Sequence, residues 1–182
     1  MRIRSATVTV ALLGVLLLAG FLLARLGSGS NASLAPPLRA APPVPASGVG
    51  SSEVLLSADA LAHPAHELVR AQLQRHYDAI NAKDYAAWVA TVVPERSAAL
   101  DEAAWREAYD SSQDGTVRID RIDDLEGARV LVRVRFVSIQ DVEDAPPEVP
   151  ARRICWHSSL PMSGVPPLIE QTGGGSSIAV PC

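Results

Sequence analysis

The 182-residue chain has a formal net charge of −4, and that charge is unevenly placed. Residues 1–52 carry four Arg and no acid, whereas residues 53–182 hold 12 Lys or Arg against all 20 Asp or Glu. An acidic C-terminal part without a basic stripe argues against a nucleic-acid partner, because phosphate neutralisation needs clustered cations; anionic lipid repels it as well, so membrane attachment falls to apolar contact.

The first element is Ser5 to Ala24, which carries no charge. As a helix its roughly 20 residues at ~1.5 Å each span ~30 Å, the hydrocarbon thickness of a bilayer. Arg2 and Arg4 precede it and Arg25 follows, so the positive-inside rule places the N-terminus in the cytoplasm and everything after residue 26 outside. The rival is a cleaved signal peptide, whose apolar core is usually ~7–15 residues and ends in small residues. The run here is longer and ends in Leu22-Leu23-Ala24-Arg25-Leu26, a poor cleavage site. Leu18-Ala19-Gly20 resembles a lipobox, but Phe21 stands where the lipidated Cys belongs.

Residues 27–56 read as a linker of Pro, Ala, Gly and Ser. Pro36, Pro37, Pro42, Pro43 and Pro45 favour polyproline II and oppose helix and sheet. Such a stretch buries too little apolar surface to order itself, and it holds the following domain roughly 30–80 Å from the membrane. Asn31-Ala32-Ser33 fits a glycosylation sequon, which in a bacterial chain reads as chance.

Residues 57–182 form the expected folded domain. Helical spacing begins at Pro64, with His63 at the cap, and places Val69, Leu73, Tyr77 and Ile80 on one face. Asp84 caps a second helix with Tyr85, Trp88, Val89 and Val92 inward, stopped by Pro94. Ser97 caps a third, Ala98 to Tyr109, with Leu100, Ala104 and Ala108 inward. The period then changes to two. Val117 and Ile119 begin a strand, and a turn through residues 123–127 leads to a second with Val130, Val132, Val134 and Phe136 on one face. Asp144 to Pro147 is a loop, and Arg152 to Leu160 is a third strand with Ile154, Trp156 and Leu160 on one face. Leu168 to Thr172 and Ile178 to Val180 make a fourth, broken at Gly173-Gly174-Gly175. Helices followed by strands predict an α+β domain: about three helices packed on a curved antiparallel sheet of about four strands.

Helix, then Tyr77-Asp78-Ala79-Ile80-Asn81-Ala82-Lys83-Asp84-Tyr85, then a third helix and a sheet resembles the NTF2-like (cystatin-like cone) superfamily over Pro64 to Cys182. The stretch from Arg153-Ile154-Cys155-Trp156-His157 to Cys182 looks like secreted or anchored actinobacterial members with a late Cys pair. An anchor before such a domain is similar to Mce-associated and VirB8-like membrane proteins, from which the long Pro-rich linker departs. In part of this superfamily an Asp or His in the cone acts on a small molecule; no catalytic residue is transferred here, because fold does not imply function.

Cys155 and Cys182 are the only cysteines, and beyond an export segment they most simply form one disulfide. They are too far apart in sequence for a redox Cys-x-x-Cys pair, and no Cys stands four from the end for prenylation. His63 and His66 flank a helix start without further ligands, so no metal is expected, and no cofactor either. His76, Tyr77 and Asp78 on the first helix, with His157 on the third strand, are the only set that would meet in a cone pocket. His157 alternates with Ile154, Trp156 and Leu160 and so is expected to face away from them. Trp88, Trp105 and Trp156 read as core, and the three consecutive glycines as a flexible turn. The expectation is a non-enzymatic, membrane-tethered interaction module of the cell envelope with a protein partner. The alternative is a cone pocket that binds a small apolar molecule, or, less expected, acts on it as an isomerase or lyase. The two differ in whether the cone is filled or open.

Overall fold

The computed structural model describes residues 43–173 and 175–182. The anchor expected at residues 5–24 and the linker up to residue 42 lie outside the described residues. No helix among the described residues is long and apolar enough to cross a membrane.

The domain is α+β. In chain order it comprises β1 (Leu55–Leu56), α1 (Ala58–Leu61), α2 (His66–Ala82), α3 (Tyr85–Val89), α4 (Pro94–Ala99), α5 (Glu102–Tyr109), β2 (Gln113–Leu125), β3 (Arg129–Ile139), β4 (Arg153–Ser163), β5 (Leu168–Ile169) and β6 (Ser177–Pro181). The strands form one curved sheet in the order β1-β2-β3-β4, with β5 and β6 both on the far edge of β4. Every pairing is antiparallel except β1 with β2, so the sheet is mixed rather than purely antiparallel. β5 pairs with Met162 and Ser163, and β6 with Ile154 to Ser158. Together they are one interrupted strand, the fourth strand expected with a break at the glycines.

α2 packs its stripe on the sheet: Val69, Leu73, Tyr77 and Ile80 are all buried, as their spacing predicts. The helix starts two residues later than expected, because His63 and Pro64 belong to a turn after α1. It ends at Lys83, whose left-handed φ of 57° closes the cap through Ala79 and Ile80 carbonyls. Asp84 caps α3 as expected, its Oδ1 accepting from Ala87 N at 2.9 Å. α3 is a short helix that ends at Val89, well before Pro94.

The expected third helix is two helices. Pro94 does not stop a helix but opens α4, since proline suits the first helical position. The chain breaks at Leu100, and Asp101 caps α5 by accepting from Ala104 N at 2.9 Å. This new phase turns Ala104 and Ala108 outward, against the expected face, while Trp105 lies in the core as expected and Tyr109 packs against it. Trp105 then meets Trp88 at 5.9 Å and Tyr85 at 5.6 Å between ring centroids. This aromatic cluster joins the helices. Trp156, expected in the core, is only half-buried.

The linker ends earlier than residue 56. Val54 is buried in the core, and Leu55 and Leu56 pair with Arg118 and Ile119. Ahead of them, residues 43–53 lie as a strap over the sheet. Arg153 donates to the carbonyls of Gly48 and Pro45 at 3.0 and 2.6 Å, and Thr116 N donates to Ser51 O at 2.7 Å. Gly115 allows this approach: a Cβ there would sit 2.6 Å from the Val49 carbonyl oxygen. Hydrogen bonds to backbone carbonyls substitute for a hydrophobic face, which is why composition alone placed this stretch in the linker.

Candidate functional site

Between the helices and the inner face of the sheet lies a cavity of about 290 Å³. α2 supplies His76, Tyr77 and Ile80; α4 supplies Arg96; α5 supplies Tyr109; and the sheet supplies Asp114, Phe136, Ser138, Trp156 and Ser158. The floor is aromatic: Phe136 stacks on Trp156 at 6.0 Å and meets Tyr77 at 5.2 Å between ring centroids. Trp156 Nε1 donates to Ser138 Oγ at 2.7 Å, which fixes the indole in this wall.

Asp114 is the least foreseeable member. Strict alternation from Val117 and Ile119 would put it on the outer face. A register shift in the β2–β3 ladder between Gly115 and Arg118, which lies between Asp114 and Ile119, resets the phase. A bulge adds one unpaired residue and so flips every side chain beyond it. Asp114 therefore pairs with Ser138 and faces inward with it. The bulge includes Thr116 at φ 50°, an unusual conformation for a β-branched residue. Its hydroxyl donates to Val49 O at 2.6 Å, so the strap helps to hold the bulge.

The junction that carries the family resemblance positions the same segment. Asn81 Nδ2 donates to Asp114 O at 2.9 Å, and Asp114 N donates to Asn81 Oδ1 at 2.7 Å. Lys83 Nζ donates to Tyr109 O at 2.7 Å and also to Ser112 O. The backbone around Asp114 is thus clamped; its carboxyl has no hydrogen-bond partner among the described residues, and the residue as a whole is only 5% exposed. Burial raises its pKa to about 7 despite the opposing pull of Lys83.

His76 is 6% exposed, and its Nδ1 lies 2.7 Å from Thr91 Oγ1. Burial first, and the nearby Arg96 charge second, lower its pKa to about 3. The Tyr77 phenol is pushed well up by burial and then by the Asp114 charge, and that of Tyr109 is raised chiefly by burial. Near neutral pH the cavity thus presents a neutral imidazole, two neutral phenols, one carboxyl close to its midpoint and the Arg96 guanidinium.

Of the four residues expected to share a pocket, His76 and Tyr77 do; Asp78 is exposed on the other face of α2, where its carboxylate accepts from Gln74 Nε2 at 2.9 Å. His157 is exposed on the outer face of β4, pointing away from Trp156 as the alternation predicts, and lies outside this cavity. Asp114, Arg96 and Tyr109 were missed. Asp114 lies beyond the bulge, where the alternation that begins at Val117 no longer holds, and Arg96 sits in a helix whose register the sequence misplaces. His63 and His66 are spent locally: His63 Nδ1 accepts from Ala65 N at 3.2 Å, which leaves Nε2–H to donate to Asp124 at 3.0 Å. His66 Nδ1 lies 2.8 Å from the His63 carbonyl. No group of three metal-ligating side chains occurs among the described residues.

Cys155 and Cys182 form a disulfide with a Cα separation of 5.1 Å, inside the ordinary bridging range of about 4.4–6.8 Å. Cys182 N donates to Arg153 O at 3.4 Å, so the terminus returns alongside β4. No family model, curated protein or solved structure matches this chain.

Proposed function

We propose that the domain is a binding module for a small, largely uncharged ring-shaped molecule, held outside the cytoplasmic membrane by the N-terminal segment. The observation that carries this reading is the cavity itself. Its volume of about 290 Å³ is not filled by side chains, and it sits at the lower end of the ~300–1,000 Å³ typical of ligand sites. Aromatic rings line it, and a few polar groups converge on it, of which the Asp114 carboxyl and His76 Nε2 have no hydrogen-bond partner among the described residues; this is the composition expected of a pocket that orients a small ligand. The helices on one face of a curved sheet, around such a cavity, support the NTF2-like resemblance. The disulfide supports an oxidising, extracytoplasmic compartment. The reading is one of binding: no direct hydrogen bond joins His76 to Asp114 among the described residues.

A second reading, the envelope interaction module, has its own support at the sheet edge. Among the described residues β6 pairs on one side only, and Ile178 and Val180 are 62% and 42% exposed there. An open edge with apolar side chains is a natural docking strand for another chain.

Calorimetric titration of 2-naphthol into the full chain and into Ala108→Trp separates the two. Ala108 is an exposed residue of the cavity lining, so an indole there adds bulk at the cavity from a solvent-facing position. Saturable binding lost in Ala108→Trp supports the cavity; equal behaviour of both proteins refutes it.

A further inference from the structure

The wall of the cavity holds a short hydrogen-bond chain whose protons are fixed by geometry. Thr91 Oγ1 lies 2.6 Å from the Trp88 carbonyl oxygen. Two oxygens that close need a proton between them, and only the Thr91 hydroxyl has one to place there. Thr91 has then no proton left for His76. The 2.7 Å contact between Thr91 Oγ1 and His76 Nδ1 is therefore an N–H donated by the ring. The ring is neutral, because burial and Arg96 both oppose its protonation. Nε2 accordingly carries a lone pair and no proton.

That lone pair is unused. Nε2 has no hydrogen-bond partner among the described residues, although His76 lines the cavity. The side-chain atoms that are sealed from solvent without a partner are Trp88 Nε1, Trp105 Nε1, Arg118 Nε and Asp123 Oδ2, and His76 Nε2 is not one of them. A hydroxyl in this place would rotate to suit either kind of ligand; an imidazole locked in one tautomer accepts only.

We propose that His76 Nε2 is the specificity-determining acceptor of this site, so that the cavity selects ring molecules bearing a hydroxyl or N–H, phenols above all, over counterparts in which that proton is capped. Thr91, itself outside the cavity lining, is the positioning residue that sets the tautomer. This inference rests on the small-molecule reading of the cavity and adds the chemistry of its ligand. A capped ligand leaves the buried acceptor unpaired after displacing its water, a loss that corresponds to about tenfold in affinity.

The test compares 2-naphthol with 2-methoxynaphthalene on the full chain by calorimetry. Wild type is expected to prefer the naphthol by about tenfold or more. Thr91→Val keeps the shape but removes the acceptor for Nδ1–H, and the preference is expected to collapse to below about threefold, while Thr91→Ser retains it. Nitrogen-15 NMR of His76 reads the tautomer directly: protonated Nδ1 and bare Nε2 in wild type and Thr91→Ser, mixed tautomers in Thr91→Val. Equal affinity of the two ligands for wild type overturns the inference and leaves the cavity reading standing. Binding of neither ligand overturns both. A protonated Nε2 in wild type overturns the inference whatever the ligands do.

Discussion

Replacing Asp114 by Asn removes an ionisable group whose charged form is penalised by burial. The carboxyl pKa rises from 3.8 to about 7, mainly through burial. Because the folded-state value is the higher one, the folded protein binds the extra proton, and the favourable contribution is complete below the unfolded value near pH 4. It is lost as pH climbs through about 7. At 1.36 kcal/mol per pKa unit the full loss is about 4 kcal/mol, of which about 3 kcal/mol falls between pH 5 and pH 8. His76 works the other way. Its pKa is lowered to about 3, so it destabilises the fold as pH falls below the unfolded value near 6.5. The two effects oppose each other in wild type, and its stability over this window is expected to be nearly flat. The difference between Asp114→Asn and wild type cancels the histidine contribution. Urea denaturation of both proteins, disulfide intact, at pH 5 and pH 8 measures it. The variant is expected to gain on wild type by about 2–3 kcal/mol between the two pH values, while the Asn81 clamp on the backbone keeps the segment in place. A difference that does not change with pH refutes the claim that Asp114 is buried without a partner.

Reduction, or Cys182→Ala, opens a loop with a sequence separation of 27 residues and is expected to cost about 3–4 kcal/mol in the chain-entropy model; hydrogen exchange should show β6 losing protection before β3. Arg153→Ala removes the hydrogen bonds to Pro45 and Gly48 and is expected to cost about 1–2 kcal/mol, with limited proteolysis moving into residues 43–50. Trp105→Ala empties a fully buried site in the aromatic cluster and is expected to cost about 3–5 kcal/mol by urea denaturation. Protease added to intact spheroplasts is expected to degrade the domain, whereas a protected domain contradicts the extracytoplasmic placement.

The elements that were legible in the sequence are those whose side chains obey a period. The α2 stripe, the Asp84 cap, the alternating valines of β3 and the outward turn of His157 all follow from spacing alone. The Cys pair was legible because an expected export segment and an even Cys count leave one simple outcome. The misses come where a local event resets the period. Asp101 competes with Ser97 as a cap and wins, which turns Ala104 outward. The β2 bulge reverses the phase of the strand and brings Asp114 to the core side, and no residue type marks that position in advance. The strap at residues 43–53 follows the same logic: it is held by Arg153, Thr116 and Gln74 side chains reaching its backbone, and backbone acceptors leave no trace in composition. The site was therefore half-legible, with His76 and Tyr77 on a helix of regular period and Asp114, Arg96 and Tyr109 on segments where the period breaks.

The most direct test of the account is an NMR titration of the full chain with 2-naphthol, followed at the side chains of His76, Tyr77, Tyr109 and Trp156. The account predicts saturable shifts concentrated on those four residues and absent in Ala108→Trp. Shifts confined to Ile178, Val180 and the free edge of β6, with the four cavity residues unmoved, would contradict it.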